Sequence, residues 1–184
     1  MSAADKLVEE GEVKLAEMDL KGAYARFKKA IETDPMNARA YFGRAESALG
    51  VDKVTPGDIL RDYRKAAELD PGQAGFYLSS LGAFNLSIGQ LLPAENAYKE
   101  AATKDPENAV SYLTDFATSF YSLRMGESEE MDKAEMDHVR YQTLVYLCNA
   151  LGLSPEDAVE LLTKKPPVPA PRPMVAEAAD EEDA

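Results

Sequence analysis

Cysteine and histidine each occur once in the 184 residues, as Cys148 and His138. A lone cysteine excludes an intramolecular disulfide framework and every zinc site built on cysteine spacings, and it suits a reducing cytoplasm. A lone histidine, with Glu135 and Gln142 one helical turn to either side, leaves a metal ion short of ligands of the right type and number. Long apolar runs are missing as well. The longest, "LVYLCNALGL", is interrupted by Asn149 and too short to span a bilayer, and the opening "MSAADKLVEEGE" has no apolar stretch of signal-peptide length. Positive charge is scarce: 20 Lys and Arg against 33 Asp and Glu leave a net charge of -13, which repels phosphate backbones and anionic lipid. Neither nucleic acid nor a membrane is expected as a partner.

Catalytic signatures are missing in the same way. There is no glycine-rich phosphate loop, no His-Glu-x-x-His and no Gly-x-Ser-x-Gly. Cys148 lies in an apolar stripe, where a free thiol behaves as a small hydrophobe. The carboxylates fall mostly at exposed helical positions and read as a solvated face rather than an acid-base pair. The expectation is a protein that is not an enzyme, with no catalytic residue, no cofactor and no metal.

What the chain does contain is one helix ending written three times. "ARFKKAIETDP" stops at Pro35, "LRDYRKAAELDP" at Pro71 and "ENAYKEAATKDP" at Pro106, a period of about 35 residues that calls for a repeat reading. Upstream of each Asp-Pro the same kinds of residue recur: Ala23, Phe27 and Ala30; Ile59, Tyr63 and Ala66; Ala94, Tyr98 and Ala101. Their spacing puts each trio on one helical face, and the proline ends the helix by removing a donor and restricting its predecessor. A second amphipathic segment precedes each of these helices and carries a small residue, Gly11, Ala45 or Gly82. A glycine there costs about 1 kcal/mol of helix propensity, so a close approach of the paired helix must compensate.

These residues resemble the tetratricopeptide repeat (TPR) family, whose unit is a helix-turn-helix of similar length. The resemblance covers units at about 4–37, 38–73 and 74–108. Leu7, Gly11, Ala23, Phe27, Ala30 and Pro35 match in the first unit; Tyr41, Ala45, Tyr63, Ala66 and Pro71 in the second; Leu81, Gly82, Ala94, Tyr98, Ala101 and Pro106 in the third. Glu10 and Lys14 depart from the pattern, as do Ile59 and the lengthened turn "VDKVTPGD". The resemblance implies an all-α fold, a right-handed α-solenoid of three TPR helix pairs, with the first helix of each pair lining a concave surface.

Residues 109–163 read as a degenerate fourth unit and capping helices. Tyr112 keeps the aromatic place, but Phe116 fills the slot of the small residue. An acidic run from Glu127 to Asp137 opens a longer helix along which Tyr141, Leu144, Val145, Cys148 and Leu151 fall at helical spacing until Gly152. "SPED" then starts another helix, with Ser154 as N-cap and Pro155 in its first position. From residue 164 the composition turns to a Pro-rich stretch, including a Pro-x-x-Pro at Pro166 and Pro169, and then to an acidic end. That tail reads as a stiff spacer followed by a disordered, solubilising segment.

Carrying the family's geometry over, the groove is expected to be lined by Asp5, Val8, Glu12 and Leu15, then Arg39, Phe42 and Glu46. Phe76, Ser79, Ala83 and Leu86 follow, then Val110, Leu113, Ala117 and Phe120. One subgroup of the family, co-chaperones that grip C-terminal carboxylates of the major heat-shock chaperones, uses Lys, Asn and Arg in places that align here with Val8, Glu12, Gly43, Phe76 and Ser80. None keeps a charge-assisted donor, and Glu12 repels a carboxylate, which argues against that ligand. The expected function is a protein-interaction adaptor that binds an apolar or amphipathic partner segment, with a basic partner residue near Glu12 and Glu46. A secretion-type chaperone of the cytoplasm and a self-assembling TPR scaffold are the alternatives.

Overall fold

The computed structural model describes residues 2–126, 129 and 131–164, and every regular element among them is helical. In order these are α1 (Ala3–Ala16), α2 (Leu20–Thr33), α3 (Ala38–Ser47), α4 (Pro56–Leu69), α5 (Ala74–Ser87), α6 (Leu91–Lys104), α7 (Ala109–Gly126), α8 (Lys133–Ala150) and α9 (Pro155–Lys164). One turn of 3-10 helix extends α3 over Ala48–Gly50, and another, Pro106–Asn108, leads into α7. Each helix packs on the next, and the first helices also meet across units, α1 on α3 and α5 on α7. The result is an α-solenoid. The Pro-rich and acidic tail, together with Glu127 and Glu130 of the acidic run, lies outside the described residues. No helix among the described residues is long and apolar enough to cross a membrane.

Local chemistry sets the helix ends. Ser2 with Asp5, Thr55 with Asp58 and Asp132 with Glu135 form reciprocal capping boxes, each satisfying two backbone donors that have no intrahelical partner. Ser154 and Asp157 make the same exchange at the start of α9. At the other end, Asp34, Asp70 and Asp105 close α2, α4 and α6 in extended conformations. Their carboxylates accept from the backbone N–H of Met36, Gly72 and Asn108 respectively. The aspartate therefore directs the chain into the next helix while the proline stops the last one.

Packing within the pairs is aromatic against small. Phe27 of α2 is fully buried, and its ring fills the space where side chains would stand on two other helices. A β-carbon on Gly11 would lie 2.8 Å from that ring, and one on Gly43 of α3 only 2.3 Å. Gly82 makes room for Tyr98 in the same way, with 2.6 Å to the ring. Ala45 and Tyr63 share the largest core cluster with Leu78, Leu81 and Phe84. The fourth pair is built differently. Phe116 packs on Tyr98 at 5.6 Å between ring centroids and edge-on against Tyr146 of α8 at 4.9 Å.

Polar side chains interrupt this core at Ser47, Asp62, Asn85 and Thr143. Arg44 of α3 forks onto the buried Asp62 of α4, with Nε and Nη2 each 2.6 Å from a carboxylate oxygen, and the guanidinium also lies over the Tyr41 ring. Ser47 is fully buried and donates to the Gly43 carbonyl at 2.7 Å. On α8 the buried residues are Val139, Thr143 and Ala150. Of the stripe that the spacing singles out, Tyr141, Leu144 and Leu151 face outward, while Val145 and Cys148 are half-buried.

Three outcomes follow for stability. Phe27→Ala empties the space between three helices and is expected to lower unfolding free energy by about 3–5 kcal/mol, while Gly43→Ala overpacks the same ring and costs about 1–3 kcal/mol; denaturant titration measures both. Asp62→Asn strands Arg44 and is expected to destabilise by about 3–5 kcal/mol, whereas the double replacement Arg44→Met with Asp62→Leu is expected to be near neutral. Finally, the hydrogen bonds from Thr55, and secondarily that from Arg61, hold the Asp58 carboxyl down to about 2. A carboxyl depressed in the folded state stabilises it above about pH 4, and that contribution disappears as the pH falls through about 2. Thermal unfolding of wild type and Thr55→Ala should therefore differ most near neutral pH and converge in acid.

Candidate functional site

The first helices of the first three pairs bring five of the expected groove residues to one place. Glu12 and Leu15 of α1, Arg39 and Phe42 of α3 and Phe76 of α5 line an open cleft of about 340 Å³. Phe27 and Gly43 also line it, so the ring that locks the first pairs together meets the cleft as well as the core. The remaining lining residues are Asp70 and Gln73 from the α4–α5 connection and Tyr77 of α5. Sequence reasoning missed these three because Asp70 and Gln73 sit in a segment read as punctuation, and Tyr77 follows a residue already placed in the groove. The adjacency of Phe76 and Tyr77 was the available signal.

Aromatic side chains dominate the cleft. Phe42 stands 5.0 Å from Phe76 and 5.1 Å from Tyr77 between ring centroids, and Phe76 and Tyr77 are 5.7 Å apart. Tyr63 continues the cluster inward at 5.9 Å from Phe42. Of these rings Phe76 is the exposed one, with 47% of its surface open to solvent. Burial, reinforced by the Asp70 charge and opposed by Arg39, raises the pKa of the Tyr77 hydroxyl, so that it stays protonated.

The acidic residues are engaged within the protein. Arg39 Nη2 bridges both carboxylate oxygens of Glu12 at 2.8 and 2.9 Å across α1 and α3. The Asp5 carboxylate accepts from the Ser2 backbone N–H and from Asn37 Nδ2 at 3.4 Å, while the Asp5 backbone N–H donates to Ser2 Oγ, and the hydrogen bonding with Ser2 lowers the Asp5 pKa. Glu46 accepts a 2.6 Å hydrogen bond from the Tyr63 hydroxyl, which burial and this bond keep protonated. The half-buried Glu46 thus has its carboxylate turned to Tyr63, and it does not line the cleft.

Other expected groove residues lie elsewhere. Val8 is fully buried among Ala23, Phe27, Ala30 and Ala40, and Phe120 is buried against Phe116 and Tyr146. Leu86 and Ala117 are also interior. These four side chains are core, because each lies on the helical face turned to a neighbouring helix. Ser79 is half-buried and donates to the Phe76 carbonyl at 2.8 Å, while Ala83 and Val110 are exposed away from the cleft lining. Leu113 lines a separate crevice with Glu95, Lys99, Phe116, Tyr146, Asn149 and Ala150. The groove expected to run from α1 to α7 is thus concentrated at α1, α3 and α5.

Among the described residues no group of three or more His, Cys, Asp or Glu side chains is placed to hold a metal ion. His138 is exposed, and Cys148 is half-buried with a free thiol.

No family model matches the chain. It is 25% identical over 147 residues to Protein CTR9 homolog of Arabidopsis thaliana, covering 79% of this chain and 13% of that protein. It is 30% identical over 105 residues to the Hsp70-Hsp90 organizing protein of Triticum aestivum, covering 57% and 18% respectively. The chain thus spans less than a fifth of either relative. Among solved structures it resembles the MamA protein with a TM-score of 0.50 at 17% identity, over 91% of this chain and 98% of that one. The three Asp-Pro units, the ring seated against glycine and the consecutive stack of helix pairs converge on one fold: an α-solenoid of helix pairs similar to that of tetratricopeptide-repeat proteins.

Proposed function

We propose that the chain is a non-enzymatic adaptor that holds a segment of a partner protein in the cleft between α1, α3 and α5. The observation that carries this reading is Phe76, a large apolar side chain left half in water while packed at a tilt against Phe42 and Tyr77 at the cleft. Exposed aromatic anchors beside a concave apolar surface are where binding energy concentrates. An apolar side chain of the partner seats against these rings, in a segment that is extended or one face of an amphipathic helix. Asp70 and Glu12 outnumber Arg39 around the cleft, so a basic residue beside the anchor is favoured over an acidic one.

The carboxylate tail of a heat-shock chaperone is not the proposed ligand. Val8 is buried, Glu12 is paired to Arg39, Gly43 has no side chain, and Phe76 is apolar. One positive charge already neutralised by Glu12 makes no carboxylate clamp. The single cysteine fits a reducing compartment, and the proposed setting is the cytoplasm.

Phe76→Glu tests the reading with little risk to folding, because the side chain is half exposed. An anchor of this kind contributes about 2 kcal/mol or more, so affinity for a partner captured by wild type is expected to fall by at least about 30-fold. Calorimetry with that partner measures the change. Unchanged affinity in a variant with native circular dichroism would rule the cleft out as the binding surface.

A further inference from the structure

At the C-terminal end of the stack a slot stands open. In the earlier pairs, the first helix of the next unit lies against both members of the pair before it, α3 against α1 and α2, and α7 against α5 and α6. The corresponding place beside α7 and α8 is an apolar cleft of about 600 Å³, lined by Thr118, Tyr121 and Ser122 of α7 and by Arg140, Thr143, Leu144 and Leu147 of α8. No residue of α9 lines it. Leu144 is 59% exposed and Tyr141, on the same helix, 63%.

The helix that should fill the slot exists in the chain. Helix α9 is amphipathic: Ala158, Val159, Leu161 and Leu162 share one face, with Glu156, Asp157, Glu160 and Lys164 on the other. Yet α9 buries none of its residues, and Leu162 is 82% exposed. An unfilled apolar slot and an unburied apolar helix of matching kind occur in one molecule.

The connection explains why α9 does not occupy its own slot. Between α2 and α3 the link is Asp34-Pro35-Met36-Asn37, and Asn37 caps the next helix. Between α8 and α9 it is Leu151-Gly152-Leu153-Ser154, of equal length and with Ser154 as the cap. The dihedrals differ. Asp34, Asp70 and Asp105 leave their helices extended, with φ of -141°, -129° and -134°. Gly152 instead turns left-handed at φ 67°, with Leu153 N donating to the Cys148 carbonyl at 2.9 Å and Gly152 N to that of Asn149. The same left-handed closure, at Met18 and Gly89, joins the two helices within the first and third pairs, so α9 leaves α8 by the within-pair turn and not by the aspartate link that leads from one pair to the next.

We propose that a second copy of the chain supplies the missing helix: α9 of each copy enters the slot between α7 and α8 of the other, giving a two-fold symmetric, exchanged dimer. Exchange buries both apolar surfaces at once in a closed arrangement. The acidic polar side of α9, with Glu156 and Glu160, is left facing solvent by the insertion, and Arg140 at the slot stays paired to its own Asp137 at 2.9 Å.

Sedimentation or light scattering of the full chain across a concentration series tests the proposal. Wild type is expected to reach twice the 20.1 kDa chain mass. Leu161→Glu with Leu162→Glu disables the helix, and Leu144→Glu disables the slot; each is expected to be monomeric with unchanged helicity, since these side chains are exposed in the protomer. Mixing the two variants is expected to restore dimers, because one intact helix then meets one intact slot. Leu151→Asp with Gly152→Pro rewrites the link in the earlier form and is expected to send α9 into its own slot, giving a monomer with α9 amides protected from exchange. A wild-type chain that stays monomeric at every concentration overturns the proposal, whether or not α9 is protected. So does a dimer that survives both glutamate variants, or a mixture that fails to re-form one.

Discussion

The seating of Phe27 between Gly11 and Gly43 is the contact on which the N-terminal half of the molecule depends. Neither glycine needs an unusual backbone angle; both are required because a β-carbon would collide with the ring. Helix propensity is given up at two positions so that one aromatic side chain can fix three helices at once. The geometry of the cleft follows from it. Only with α1 and α3 held this closely does Glu12 reach Arg39, and Phe27 and Gly43 themselves become cleft lining.

The two ends of the stack then differ in chemistry. The cleft at α1, α3 and α5 mixes stacked rings with carboxylates that are already hydrogen-bonded, leaving apolar surface as its main offering. At the far end α7 and α8 present apolar surface around Tyr121, Leu144 and Leu147, and the apolar side of α9 is uncovered. Contiguous exposed apolar surface is rare on isolated soluble chains, and its presence at both ends fits a protein whose work is association.

Much of the fold could be read from the chain because the deciding chemistry is local. Asp-Pro endings and Ser154 as a cap depend on neighbours within one or two turns, and the small residues opposite Phe27 and Tyr98 are legible because the repeat returns them at a fixed spacing. Assigning faces was harder. Helical spacing groups Val8 with Glu12 and Phe120 with Leu113, but it does not say which edge of the face meets the next helix, and the structure puts Val8 and Phe120 inside. On α8 two apolar stripes compete, and the one containing Thr143 and Tyr146 is inward while Tyr141 and Leu144 are outward. The inward turn of Glu46 depends on the Tyr63 hydroxyl, 17 residues away in sequence, which no local pattern reveals.

The Arg44–Asp62 fork has a consequence for how such a chain finds its fold. Units with similar helix pairs offer one another near-equivalent partners, and a solenoid can misassemble by pairing the wrong neighbours. Most of the core here is apolar and tolerant of such errors. A charged fork is not: seating α3 or α4 against any helix lacking the complementary group buries one ion alone, at a cost of several kcal/mol. The bridge therefore serves as a registration mark, placed in the second pair, where the aliphatic Ile59 replaces the small residue of the pattern and the inter-helix turn is longest.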